Sequence, residues 1–361
     1  MRNNSCAVRA AFLSALFSTL ASAQNNVLEA PPEPQMNRFA VSYRLGLNIT
    51  ADFKKLGGFT AVNQGGVGPG PATGGHTDRT YDDGYNKIDI RDNALGLTWN
   101  WGYENASQVP DPGNNVILFH SSSAKANVSS KNVGDDPQHG FEFIYNRRIR
   151  DAGKGWWGIE AAFGYTDVSI GDGRALRGNV SVLTDTYDLG GVFPPSPPPY
   201  HGANPNPPPN DNPLISDSPS RSFQNVPGGA KITGTRSIDA GVATFRVGPY
   251  FELPASTNLS FQFSGGFAMA AIDSEFRFRE TVAISGLGSQ THSGRSHDGG
   301  VVPGGYVQGT VIWKLNKELD IFASAQYQAL AIYSQTAAGK RAVLNMGESL
   351  FVSVGLGFSF K

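Results

Sequence analysis

The sequence is poor in three things, and each shortage removes a class of protein. It has one cysteine in 361 residues. That residue, Cys6, precedes the first apolar run, so it does not sit where a lipoprotein cysteine would. A disulfide framework and thiol chemistry are therefore excluded from the processed chain. Beyond the N-terminus no stretch approaches the ~20 consecutive apolar residues of a membrane-spanning helix, and the mean hydropathy of -0.26 is that of a water-soluble protein. Basic residues are not in excess either. Removing Arg2 and Arg9 with a leader takes the 29 basic residues to 27 against 30 acidic ones, a net charge of -3. Nucleic acid is not a partner such a chain attracts.

Other residues are abundant. There are 44 glycines, 22 phenylalanines and 12 tyrosines, more than a typical globular domain carries. Alternation of apolar and polar residues hides hydrophobicity from an average, which is how a membrane barrel looks hydrophilic overall. The last strand shows this alternation clearly. Leu350, Val352, Val354, Leu356, Phe358 and Phe360 fall on one face, with Ser349, Ser353, Gly355, Gly357 and Ser359 on the other. A period of two over this length is a strand and not a helix. An unbroken apolar face ending in aromatics suits a strand with lipid on one side and a lumen on the other. Leu356, Phe358 and Phe360 are then the expected assembly signal, which resembles the C-terminal signature of bacterial outer-membrane barrels, with Lys361 following the last aromatic.

The N-terminus fits that destination. Arg2 and Arg9, the apolar run from Ala10 to Leu20 and the small residues Ala21-Ser22-Ala23 occur in the order of an export signal. Residues 1–23 are expected to be removed, with 24–37 as a proline-bearing periplasmic lead-in. The barrel is expected over 38–361. Phe39, Val41, Tyr43, Leu45, Leu47, Ile49, Ala51 and Phe53 give the first strand one apolar face. Antiparallel closure of first strand on last removes both free edges.

Short turns after Ile149, Leu253 and Leu315 alternate with long connections after Phe53, Ile170 and Phe278, the asymmetry of periplasmic turns and external loops. External loops are expected near 56–90 and 171–232. The second holds ten prolines between Pro194 and Pro213, within the stretch 193–213, which exclude helix and central strand there. Counting alternating segments predicts an all-β, antiparallel, up-and-down transmembrane barrel of about 10 strands, within a range of 8–12. Trp99, Trp101 and Tyr103 at a strand end, with Trp157 and Trp313, are expected in the aromatic girdle. The phase of alternation turns Arg44, Glu142, Glu160 and Arg246 into the lumen, beside Gln262, Gln308, Gln326 and Gln328. In so narrow an interior, guanidinium groups bridging carboxylates predict an ionic plug.

Tyr43 to Ile49, Tyr81-Asp82-Asp83-Gly84-Tyr85, Leu97 to Tyr103 and Asp185 to Gly191 together resemble a family of outer-membrane β-barrel proteins without assigned function. The resemblance implies fold and location and supplies no catalytic motif. His120 and Ser122, two apart on one strand face, resemble the His-x-Ser pair of outer-membrane lipid A deacylases, a chemistry that needs an orienting acid. Glu142 is the carboxylate that sequence proximity offers. Asp78, Asp82, Asp83, Asp89 and Asp92 lack a twelve-residue calcium-loop pattern, and His292, His297 and Asp298 lie in a glycine-rich stretch, so neither group is assigned a metal.

The expectation is a non-enzymatic barrel of the bacterial outer membrane, structural or a narrow channel, with a lumen mostly filled by side chains. The alternative is a surface-binding or adhesion barrel acting through its loops, and a further one a lipid hydrolase using His120 and Ser122. No cofactor is expected. The expected partners are outer-membrane lipids, lipopolysaccharide and the assembly machinery.

Overall fold

The computed structural model describes residues 36–62, 78–110, 113, 115–134, 136–202 and 213–361. The expected leader and most of the lead-in, the Gly-rich stretch 63–77, most of the turn at 111–114 and the prolines of 203–212 lie outside these residues. Eight strands form a closed antiparallel ring. They are β1 (Asn37–Leu47), β2 (Gln138–Ala152), β3 (Gly155–Asp172), β4 (Ser220–Pro254), β5 (Leu259–Ile284), β6 (Gly288–Lys314), β7 (Leu319–Leu330) and β8 (Ser349–Phe360). Each pairs with its neighbours in sequence, and β1 closes on β8 from Asn37↔Phe360 to Leu47↔Leu350. The order is therefore an up-and-down barrel, and an eight-stranded barrel leaves an interior that side chains can fill.

The expected count of about ten included two alternating stretches that are not staves of this ring. Leu97–Thr98 and Trp101–Tyr103 are strands of smaller sheets at one end of the barrel, and Val116–Ser123 is joined to the ring's sheet only through Leu176–Asp188, outside the ring. A strand whose apolar face meets protein alternates just as one whose apolar face meets lipid does.

The barrel has a proximal end of short turns and a distal end of long excursions. At the proximal end β2 and β3 are joined through Gly153 and Lys154, and β4 and β5 through 255–258. Around the proximal half runs an exposed apolar belt that includes Phe39, Phe143, Ile159, Phe163, Phe245, Phe263, Phe267, Val307, Ile321 and Leu356. On β5 the belt extends from Leu259 to Met269. That is about 33 Å along the strand, or about 25 Å of height at a 40° tilt, the thickness of an outer-membrane apolar band. Beyond Ala271 the outward side chains of the same strand become Asp273, Glu275, Arg277 and Arg279.

All eight strands are prolonged past the belt. Tyr333–Ala337, Lys340–Asn345, Thr50–Leu56 and Val128–Val133 form a sheet in that order, continuing β7, β8, β1 and β2. The phase changes at Asn48, whose φ of 61° is left-handed. Ile49, Ala51 and Phe53, expected on the lipid face, are consequently buried inside. They pack against the opposite wall, where Ile170, Ile238, Ala240 and Phe276 join them in one apolar core. The Phe53 and Phe276 rings stack with centroids 5.9 Å apart.

Candidate functional site

The four inward charges read from the sequence meet in the proximal lumen. Arg246 reaches Glu142 through both Nε and Nη2, each at 3.0 Å, and Glu160 through Nη1. Arg44 donates from Nη1 to Glu142 at 2.9 Å and lies 3.6 Å above the centre of the Phe351 ring. Glycine at 164 makes room for it, because a Cβ there would come within 2.6 Å of Arg44 Nη1. Glu160 also accepts from Asn146 at 2.9 Å, Gln262 at 2.7 Å and Ser264 at 3.0 Å. All four charged side chains are at most 2% exposed.

Nearer the proximal mouth, Arg38 holds Asp320 through two hydrogen bonds of 2.9 and 2.6 Å. Sequence reasoning missed this pair, although the phase that turned Arg44 inward also turns Arg38 inward. Three buried arginines thus face Glu142, Glu160 and Asp320, and a fourth buried carboxylate, Glu252, lies 4.0 Å from Lys314, so four cations meet four carboxylates. Gln326 donates to Gln328 at 2.8 Å, and Gln308 to Thr310 at 3.0 Å. Above this polar layer the lumen continues into the apolar core of the prolonged walls.

Trp157 and Trp313 project from the barrel wall, 38% and 51% exposed. Trp99, Trp101 and Tyr103 are elsewhere: all three are buried, Trp101 and Tyr103 in a distal cluster and Trp99 beneath the Arg91 guanidinium at 4.0 Å, not on the barrel's outer surface. That cluster unites three of the four segments that carried the family resemblance. Tyr81, Trp101, Tyr103 and Tyr187 pack with Ile117, Phe119 and Ile215. Tyr81 donates to Asp185 at 2.6 Å, and Arg221 grips the same carboxylate twice at 2.7 Å. Gly84 closes the Tyr81–Gly84 turn, because any Cβ there would lie 2.2 Å from the Gly102 carbonyl.

The turn Asp82-Asp83 gives His120 and Ser122 their surroundings. Asp83 accepts from the His120 backbone at 2.8 Å and pairs with its Nδ1 at 2.6 Å. Asp82 accepts from the Ser122 backbone at 2.7 Å, and its own N–H donates to the His120 carbonyl at 2.8 Å. The carboxylates beside His120 are thus these two aspartates and not Glu142, which lies in the lumen plug. The hydrogen bond to Asp83 raises the His120 pKa above its ordinary value against the opposing effect of burial. Burial raises that of Asp82, partly offset by the hydrogen bonds from Ser122. Phe59 and Ala124 exchange backbone hydrogen bonds at 2.9 and 3.0 Å, and Gln108 donates to the Leu118 carbonyl at 3.0 Å. Together these contacts close the edge of strand Val116–Ser123, as buried backbone groups require.

Among the described residues no group of three or more His, Cys, Asp or Glu side chains is arranged to hold a metal. His292 bonds the Gly58 carbonyl at 3.1 Å, whereas His297 pairs with Asp273 at 3.1 Å.

No family model and no curated protein matches the chain. Among solved structures, Ail, the attachment invasion locus protein of Yersinia pestis, is similar over 90% of this chain and 99% of its own, at 10% identity and a TM-score of 0.28. The outer membrane protease OmpT from Escherichia coli is similar over 94% of this chain and 100% of its own, at 7% identity and a TM-score of 0.31. A Pseudomonas aeruginosa FadL homologue is similar over 91% of each chain, at 7% identity and a TM-score of 0.18. At such scores the fold assignment rests on the ring of strands itself.

Proposed function

We propose that this chain is an outer-membrane protein of a two-membrane bacterium, in which the barrel is a closed anchor and the distal end binds partners at the cell surface. One observation carries the reading: the proximal lumen is filled by a neutral, mutually bonded ionic layer, and the distal lumen by an apolar core. A barrel so filled offers no solute path, so the work falls to the part outside the belt. The distal part is elaborate, with prolonged walls, two further small sheets and an aromatic cluster. His120 and Ser122 are given an edge-closing role in this reading, not a hydrolytic one.

Single-cysteine labelling on intact cells tests location and orientation. Phe193→Cys and Leu95→Cys, at exposed distal positions, are expected to react with a membrane-impermeant maleimide. Asn316→Cys, in a proximal turn, is expected to react after the outer membrane is breached. Labelling of Asn316→Cys alone on intact cells would reverse the orientation and remove the proposal.

A further inference from the structure

One sheet at the distal end is closed at one edge and open at the other. Strand Val116–Ser123 pairs with Leu176–Asp188, which pairs with the first part of β4 from Ser220 to Ile232. The Val116–Ser123 edge is closed by Asp82, Asp83, Gln108 and Phe59, as described above. The opposite edge is different. β5 flanks β4 only from Ala230 to Pro254, because β5 turns back at Ile284. From Ser222 to Val226 no described strand lies on that side.

Open edges are normally blunted by lysine, proline or inward-pointing charge. Ser222-Phe223-Gln224-Asn225-Val226 carries no charge and no proline, and Pro227 follows it. Phe223 is 70% exposed, although its ladder partner Leu183 is 7% exposed within the aromatic cluster. A further strand laid here would place a side chain beside Phe223 and extend that cluster by one row.

We infer that Ser222–Val226 is an acceptor edge for an extended polypeptide segment, which docks by adding a strand to this sheet. Main-chain hydrogen bonds supply the attachment, and alternate side chains supply selectivity. The segment is uncharged where it pairs and carries an apolar residue against Phe223. A second copy in the same membrane does not fit. Copies related by a two-fold axis along the membrane normal would cross strands tilted by about 40° at about 80°, too steep for a ladder. The acceptor edge deepens the surface-binding reading and rests on it for the partner's access.

The test uses the full chain in lipid nanodiscs and the synthetic peptide acetyl-Thr-Val-Thr-Val-Thr-Val-Thr-amide. A control peptide has proline in place of each valine and cannot continue a ladder. The expected result is saturable binding of the first peptide only, with new amide-exchange protection across 222–226. The double variant Phe223→Lys, Val226→Lys, altered at exposed positions, is expected to bind about tenfold more weakly or less. Equal binding by the variant, no binding of the Thr-Val peptide, or protection of 222–226 before peptide is added would overturn the inference. If cysteine labelling places the distal end outside the cell but the peptide fails, the acceptor edge falls and the surface location stands.

Discussion

Removing Arg246 is the sharpest perturbation of the plug. Its guanidinium holds Glu142 through two hydrogen bonds of 3.0 Å and also bonds Glu160. Arg246→Ala therefore leaves two buried carboxylates short of their shared cation. Glu142 keeps the single bond from Arg44, and Glu160 keeps neutral donors from Asn146, Gln262 and Ser264. Breaking a buried ion pair by deleting one partner costs about 3–5 kcal/mol, and this deletion breaks two, so the upper end of that range is expected. Arg44→Ala is expected to cost less, about 1–3 kcal/mol, because Glu142 retains both bonds from Arg246. Replacing the whole unit, with Arg44→Met, Arg246→Met, Glu142→Gln and Glu160→Gln together, should recover most of the loss, since no uncompensated charge remains among them. Equilibrium urea unfolding in phospholipid vesicles, followed by tryptophan fluorescence, measures all three. If Arg246→Ala lies within about 1 kcal/mol of the unaltered protein, the charges line wet space without sharing a network and the reasoning fails.

Three further outcomes are expected. Phe360→Asp, at the exposed end of β8 beside Asn37, should lower the amount of folded protein in the outer membrane; a normal level by heat-shift electrophoresis would count against an assembly role for that aromatic. The His120 pKa is raised by Asp83, so its contribution to holding the Tyr81–Gly84 turn on strand Val116–Ser123 is fully present below the unfolded pKa and lost as pH rises through the folded value. Amide exchange near His120 should quicken over that rise, and Asp83→Asn should abolish the dependence. Asp172 behaves oppositely. Burial raises its pKa, but hydrogen bonds from Ser130, the Arg174 backbone and Arg236 outweigh that and hold it well below the usual carboxylate range. Its contribution is present above the unfolded pKa and lost as pH falls through the folded one. Acid-induced loosening of the distal walls, read by amide exchange, should therefore be removed in Asp172→Asn.

Much of the barrel was legible because a lipid-facing strand obeys a strict period. The closing pair β1 and β8 and the short turns of the proximal end follow from alternation alone. The same phase turned Arg44, Glu142, Glu160 and Arg246 toward one another, although nothing in the sequence gave their distances. The distal end was less legible for identifiable reasons. Ser289 to Gly300 in β6 is built of small and polar residues on both faces, so periodicity disappears and a strand reads as a loop. Asn48 inverts the phase of its strand without a break in the apolar pattern. Trp99, Trp101 and Tyr103 alternate like girdle residues but are buried in protein. The Asp83–His120 contact joins residues 37 apart across separate strands, a distance over which spacing carries no signal.

A barrel closed by its ionic layer and its apolar core should not conduct. Single-channel recording of the purified, folded chain in a planar lipid bilayer tests that most directly. The filled lumen predicts a quiet trace, without discrete conductance steps in the unaltered protein and with steps appearing in Arg246→Ala if its neighbours loosen. Large, stable and reproducible steps in the unaltered protein would contradict the closed anchor and make solute passage the function to pursue.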